Sequence, residues 1–293
     1  GERAEPKPTR ATGRPQVRQE GSGTIVTAGS IVYRFDDRTG ALASVRAMEL
    51  ELLASPLQLN FWRPATNNDE GAKLPAKLAV WRRAGAHASA GQRRVVEEVA
   101  SVALTYEVAI PAGGSTATIE YRIHASGQLA VAVDFKPAGQ KLPMIPRIGL
   151  TATLPVAFHR VAWFGKGPHE NYADRQAGAW VGRFNGTVES MFHRYGDPQE
   201  AGQRTGIRSV AFTRDGGAGL RFEATGGRLL EFGAYPCLAD DLEYARHPID
   251  LPGREVVTIN IDHRQMGLGG TNSWGELPLV PYRLPADRTY RFS

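Results

Sequence analysis

The sequence predicts an all-β protein built of antiparallel sheets, and three observations carry that expectation. Segments of alternating apolar and polar residues recur at a spacing of roughly ten residues, the rhythm of short strands and turns. Turn formers are abundant, with 33 Gly and 19 Pro among 293 residues, more than long helices tolerate. Between successive strand-like segments there is no helical pattern, which favours packed antiparallel sheets over a parallel α/β sheet. At this length one large domain preceded by a tail is expected.

Composition excludes several classes of function. The net charge of +5 rests on 35 basic residues, 29 Arg and 6 Lys. They are spread along the chain with no run interleaved with aromatics, so no nucleic-acid partner is expected. No stretch approaches about 20 apolar residues, and no apolar leader stands at the N-terminus, so no membrane partner is expected either. Cys237 is the only cysteine, which rules out an internal disulfide and leaves the redox compartment open. Localisation is therefore undecided. Because the chain begins at Gly1, it is expected to be a processed product or a piece of something longer.

Residues 1–23 are nearly devoid of apolar side chains and contain three prolines, the composition of a polar linker or tail. From Thr24 the pattern changes. TIVTA, IVYRF, the turn Asp36 to Gly40 and ALASV read as a β-meander, opening a domain that runs over residues 24–293. Residues 55–62 form another strand candidate, followed by a polar loop, Asn67 to Gly71. Leu74, Leu78 and Trp81 lie at i, i+4 and i+7, which predicts a short helix over 73–83 with Trp81 in the core and Gly85 as its stop. Strand character resumes over 95–110, 116–125, 129–135 and 148–154. It continues at 161–164, 209–213, 219–224 and 229–233, with a helical candidate at 238–246.

Two loops hold the residues with chemical potential. The first, Gly165 to Arg175, gathers His169, Glu170, Asn171, Tyr172, Asp174 and Arg175 behind a Gly-Pro start. His169 beside Glu170 has the chemistry of proton transfer, and Asp174 with Arg175 that of an ion pair, but sequence neighbours need not point the same way. The stretch reads as a structural polar loop whose network ties the turn to neighbouring backbone, with a ligand contact as the alternative. The second loop follows the β-branched strand Val256 to Ile261. Gly267, Gly269, Gly270 and Gly275 forbid regular structure there and permit positive φ. Trp274 stands among Thr271, Asn272 and Ser273, where it either plugs the end of a sandwich or offers a flat face to a ligand such as a sugar.

No catalytic constellation emerges from spacing. There is no nucleophile elbow, no phosphate-cradling glycine loop and no Cys/His cluster with metal spacing. Asn67 to Gly71 lacks the alternating ligands and terminal glutamate of a calcium loop, so no metal is assigned.

Taken together, three ordered motifs carry a resemblance. FWRPATNNDEG leading into WRRAG, then GPHENYADR, then NIDHRQMGLGGTNSWGE with a closing PYRLPADRTYRFS, resemble the C-terminal small-chain region of bacterial β-galactosidases of glycoside hydrolase family two. The resemblance runs from about Thr24 to Ser293. It implies a β-supersandwich, galactose mutarotase-like in fold, lying downstream of a catalytic barrel that carries both catalytic glutamates. No catalytic residue is then expected in this chain, nor any cofactor; a divalent metal of the parent enzyme would belong to its barrel. Trp274 matches the tryptophan that this region contributes to the rim of the active site, with Asn272, Ser273 and Gly71 as neighbours. The implied partners are a β-galactoside and the upstream barrel of the same enzyme. The segment after Gly71 matches a loop that shifts on ligand binding, although Ala72 to Pro75 is short and differs in sequence. Two alternatives stay open: a free-standing carbohydrate-binding module, and an aldose 1-epimerase. For the latter, Glu170, His169, His247 and His263 are nominees, but nothing in the sequence brings a pair of them together.

Overall fold

A computed structural model describes residues 13–139, 141–272 and 275–293. Its strands form four antiparallel sheets. Numbered along the chain, β1 (Gln16–Glu20), β2 (Gly23–Ala28), β3 (Ile31–Asp36), β4 (Ala41–Ala47) and β5 (Leu50–Glu51) make a meander in that order. The central sheet combines β6 (Gln58–Asn60), β11 (Arg147–Pro155), β14 (Arg204–Ile207), β17 (Leu230–Tyr235) and β18 (Val256–Gln265), in the order β14-β17-β18-β11-β6. A third sheet takes β7 (Ser89–Glu97), β8 (Ser101–Ile110), β9 (Ser115–His124), β10 (Leu129–Lys136) and β19 (Tyr290–Phe292), ordered β19-β10-β9-β8-β7. The fourth holds β12 (Arg160–Gly167), β13 (Trp180–Thr187), β15 (Ser209–Thr213) and β16 (Gly219–Glu223), ordered β13-β12-β15-β16. This is the all-β supersandwich of antiparallel sheets that the sequence predicts.

The period-2 pattern explains why these segments became strands. In β9 every second residue from Ser115 is buried, while its neighbours are exposed or half-buried, so one face meets the core. Residues from all four sheets join one apolar cluster. Aromatic pairs connect them: Phe35 lies 4.8 Å from Tyr121, Phe61 4.6 Å from Phe135, and Trp163 5.9 Å from Phe232. Each such ring removed from water contributes about 1.5–3 kcal/mol.

Several elements differ from expectation. Gln16–Glu20 falls inside the stretch read as a tail, yet it pairs along its whole length with β2. An edge strand needs only backbone partners, so its polar side chains remain largely exposed. Residues 67–71 form a one-turn helix, α1 (Asn67–Gly71), rather than a loop, because Thr66 caps the Asp69 N–H and Asp69 returns a bond to the Thr66 N–H. The helix expected over 73–83 breaks into α2 (Leu74–Lys77) and a 3-10 turn, Ala79–Trp81; Leu74, Leu78 and Trp81 are nevertheless buried. The segment 95–110 is two strands, β7 and β8, with a turn between them. Two further one-turn or two-turn helices are α3 (Val188–Met191) and α4 (Ala239–Tyr244), the second inside the predicted helical stretch.

Candidate functional site

At the C-terminal end of β18 the chain leaves the central sheet and enters the glycine-rich loop. Arg63 controls that exit. Its guanidinium donates to the Gln265 side chain at 2.9 Å and to the carbonyls of Met266 at 2.8 Å and Gly267 at 3.1 Å. The other edge of the same group makes a two-pronged ion pair with Asp69, at 3.0 and 2.9 Å, and both side chains are buried. A planar guanidinium with five donors suits this role, since it ties α1 to the loop with no donor left over for water.

From the opposite side Asp174 takes over. Its carboxylate accepts the N–H groups of Leu268 and Gly269, each at 2.9 Å, which satisfies two successive donors that no sheet partner could reach. Positive φ follows at Gly269 (+71°) and Gly270 (+68°). A Cβ on Gly270 would lie 2.3 Å from the Asn68 side-chain nitrogen, so the loop passes directly over α1. Asn68 in turn donates to the Leu268 carbonyl at 3.3 Å. Beyond the turn, the Gly270 N–H donates to the Glu276 carbonyl at 2.8 Å, closing the loop on itself.

Of the residues nominated from the sequence, Ser273 and Trp274 lie outside the described residues. Asn272 is exposed, and Gly71 is in backbone contact with Gly275. Glu170 accepts the Gly202 N–H at 2.7 Å and the Tyr195 hydroxyl, tying its turn to the segment before β14. Arg175 is exposed and makes one long contact, 3.5 Å, to the Gly269 carbonyl. His169 is exposed, and its carbonyl accepts from Asn171. The nominees thus do not act as one set. Asp174 bonds to the loop, whereas Glu170 bonds to Tyr195 and Gly202, and His169 lies outside that hydrogen-bonded group.

Sequence reasoning gave Arg63, Asn68 and Tyr195 no role at this end, and it counted Tyr172 only among the polar residues of its own loop. Between Asn68, Tyr172, Tyr195 and Leu268 lies a hollow of about 130 Å³, lined also by Asn67, Arg175, Gln199 and Glu200. Larger hollows, about 320 Å³ along β10 and β19 and about 740 Å³ beside β1, involve none of these residues. Behind the hollow runs a buried polar network. Glu200 accepts from Arg147 at 3.1 Å, Gln265 at 3.2 Å and the Tyr235 hydroxyl. Arg147 also lies 3.2 Å from Asp262, and Gln203 donates to both Asp262 and Glu231 at 3.2 Å. Burial pushes the carboxyls of Glu231 and Asp262 up to about 7 each, the charge of Arg147 opposing it. Burial, with the charges of Glu200 and Glu170, raises the Tyr172 phenol well above its ordinary value.

A family model described as β-galactosidase small chain matches residues 27–293. The chain belongs to this family. Among relatives, it is 34% identical over 274 residues to a β-galactosidase of Priestia megaterium, covering 94% of this chain and 26% of that protein. A β-galactosidase of Halalkalibacterium halodurans is 32% identical over 262 residues, with coverage of 88% and 26%. The small chain described here thus spans about a quarter of the length of these relatives. Among solved structures, a TPR-domain-containing protein of Parabacteroides distasonis aligns with a TM-score of 0.50 at 11% identity, over 92% of this chain and 45% of that one. A galactose mutarotase-like protein of Clostridium acetobutylicum aligns with a TM-score of 0.47 at 7% identity, over 95% and 97% of the two chains.

Proposed function

We propose that this chain is the C-terminal, non-catalytic domain of a β-galactosidase that hydrolyses terminal β-D-galactosides, and that its 266–276 loop completes the rim of the active site through Trp274. The catalytic carboxylates then belong to an upstream barrel, where a retaining mechanism requires them about 5 Å apart. The observation that carries this reading is the anchoring of the loop on three sides: by Asp174 at Leu268 and Gly269, by Arg63 at Met266 and Gly267, and by Gly71 at Gly275. A loop that served only to connect β18 with β19 would need no such fixing, whereas an aromatic platform gains from arriving pre-organised.

Stacking of an indole on a sugar is worth about 0.5–1.5 kcal/mol beyond area burial. Alone that gives millimolar or weaker affinity, so the isolated chain binds galactosides poorly and does not turn them over. In the full-length enzyme, Trp274→Leu is expected to weaken substrate binding by roughly 2- to 13-fold, from the same stacking energy, with thermal stability nearly unchanged. A loss of several kcal/mol of stability with unchanged affinity would return Trp274 to a core role. Turnover of a chromogenic galactoside by the chain alone would show that the chemistry has been misplaced.

A further inference from the structure

We propose that Glu231 and Asp262 hold a proton between them, and that losing it loosens the 266–276 loop at its root, Gln265. The device lies in the fold and stands whether or not the loop meets a substrate. Charge balance requires the proton. Three carboxyls, Glu200, Glu231 and Asp262, are buried around one guanidinium, that of Arg147. Arg63 is taken by Asp69 and reaches the group only through Gln265. Along β18, Arg264 is exposed, and burial lowers His263 to about 4, so it is neutral near pH 7. Burial raises the Tyr235 and Tyr172 phenols, which add no positive charge. One cation cannot neutralise three buried carboxylates, and a buried carboxylate left uncompensated takes up a proton instead.

Hydrogen bonding points the same way. Gln203 divides one NH₂ between Glu231 and Asp262, 3.2 Å from each. Asp262 Oδ1 and Gln203 Oε1 are buried acceptors with no donor among the described residues, although buried polar atoms are ordinarily paired. A proton on either carboxyl adds the donor that this group lacks, whereas a water molecule would add a donor and leave both charges in place.

The link to the loop is Gln265. Glu231 and Asp262 are the last pair of the β17–β18 ladder on the side of the loop. Beyond them the Gln265 N–H donates to the Glu231 carboxylate instead, at 2.9 Å, and its side chain donates to Glu200 at 3.2 Å while accepting from Arg63 at 2.9 Å. Two acids of the buried set therefore hold the last residue before Met266 and Gly267, whose carbonyls Arg63 grips. When both Glu231 and Asp262 are ionised, their repulsion is relieved most cheaply here, where only the pairing with Arg147 of β11 has to yield, by parting Gln265 from the set and admitting water. Burial raises both carboxyls in the fold to about 7, so the proton is held below that pH and lost above it. Anchoring is then firm on the acid side and weakens as pH rises through about 7.

Hydrogen exchange of the chain at about pH 6 and about pH 8 tests this, read at the Leu268, Gly269 and Gly270 amides against the Ile119 amide of the interior strand β9, each rate corrected for its intrinsic dependence on pH. Protection of the loop amides is expected to fall by up to about tenfold, the change for one unit of difference in proton affinity between the anchored and loosened forms. Asp262→Asn and Glu231→Gln cannot form the double charge and should hold that protection constant. In the parent chain, the side-chain carboxyl ¹³C signals of Glu231 and Asp262 should titrate together over the same interval. Signals of fully ionised carboxylates already at about pH 6 would overturn the stored proton, and this reading needs no variant to fold. Constant protection of the loop in the parent, a fall no larger than that of Ile119, or an equal fall in a folded variant would overturn the link between the buried pair and the loop.

Discussion

Gly275 and Gly71 meet backbone to backbone: a Cβ on Gly275 would stand 2.7 Å from the carbonyl carbon of Gly71 and 2.9 Å from its oxygen. Gly275 also has a φ of +83°, a region that costs an L-residue about 1–2 kcal/mol before any clash. Neither demand can be met by another residue without moving the loop away from α1. Gly275→Ala is therefore expected to destabilise the chain by at least about 1 kcal/mol and to speed hydrogen exchange at the Gly270 N–H, which closes the loop on Glu276. Denaturant melts and exchange rates both matching the parent would show that the contact is dispensable.

Asp174 offers a cleaner separation of geometry from charge. Its two oxygens each serve one backbone N–H, so Asp174→Asn keeps one acceptor and turns the other position into a donor facing a donor. Asp174→Ala leaves both N–H groups without their partner but lets water approach. Leaving one partly buried donor unsatisfied costs about 1–3 kcal/mol. Asn is thus expected to be no better than Ala here, although it is nearer in shape. An Asp174→Asn variant with parental stability would mean that the loop does not depend on this carboxylate.

Arg63 and Asp69 form a pair sealed from solvent, and such pairs are far more costly to break than to have. Arg63→Ala strands the Asp69 carboxylate together with the carbonyls of Met266 and Gly267, and an expected loss of about 3–5 kcal/mol follows. Lysine cannot fork across Asp69, Gln265 and two carbonyls at once, so Arg63→Lys should recover only part of it. Full rescue by lysine, read in the midpoint of a urea melt, would show that charge alone suffices.

The strands were legible because each buries one face, and alternation survives even in short segments such as those of β2 and β9. What escaped notice carries little alternation: β1 is polar because it lies at an edge, and β13 (WVGRFNGT) mixes glycine with exposed residues for the same reason. The loop end was legible only as two motifs. Their junction depends on Asp174 reaching residues 94 and 95 positions away and on Arg63 reaching Gln265 across 202. No local pattern encodes such reach. The buried set of Arg147, Glu200, Glu231 and Asp262 was equally hidden, since in sequence each looks like one more scattered surface charge.

That buried set predicts an unusual dependence on pH. Glu231 and Asp262 are cross-strand partners, and burial raises both carboxyls in the fold to about 7 from ordinary values of 4.5 and 3.8. Between those limits the unfolded chain has already released protons that the folded chain retains. Their contribution to stability is therefore full below about pH 4 and is lost as pH rises through about 7. His263 works in the opposite sense, because burial lowers it to about 4 from 6.5, so its contribution is lost as pH falls through that window. Two groups outweigh one, and the net expectation is falling stability from mildly acidic to neutral pH. Asp262→Asn removes one of the two while keeping its volume in the space left by Gly149, where a Cβ would lie 2.3 Å from Asp262 Oδ1. Relative to the parent, the variant should then gain on the order of 2 kcal/mol between about pH 4.5 and 7.5, since each tenfold change in proton affinity is worth about 1.4 kcal/mol and the two carboxyls are coupled. Urea melts of both proteins at the two pH values measure that difference directly, and a constant gap between them would show that Asp262 is ionised throughout.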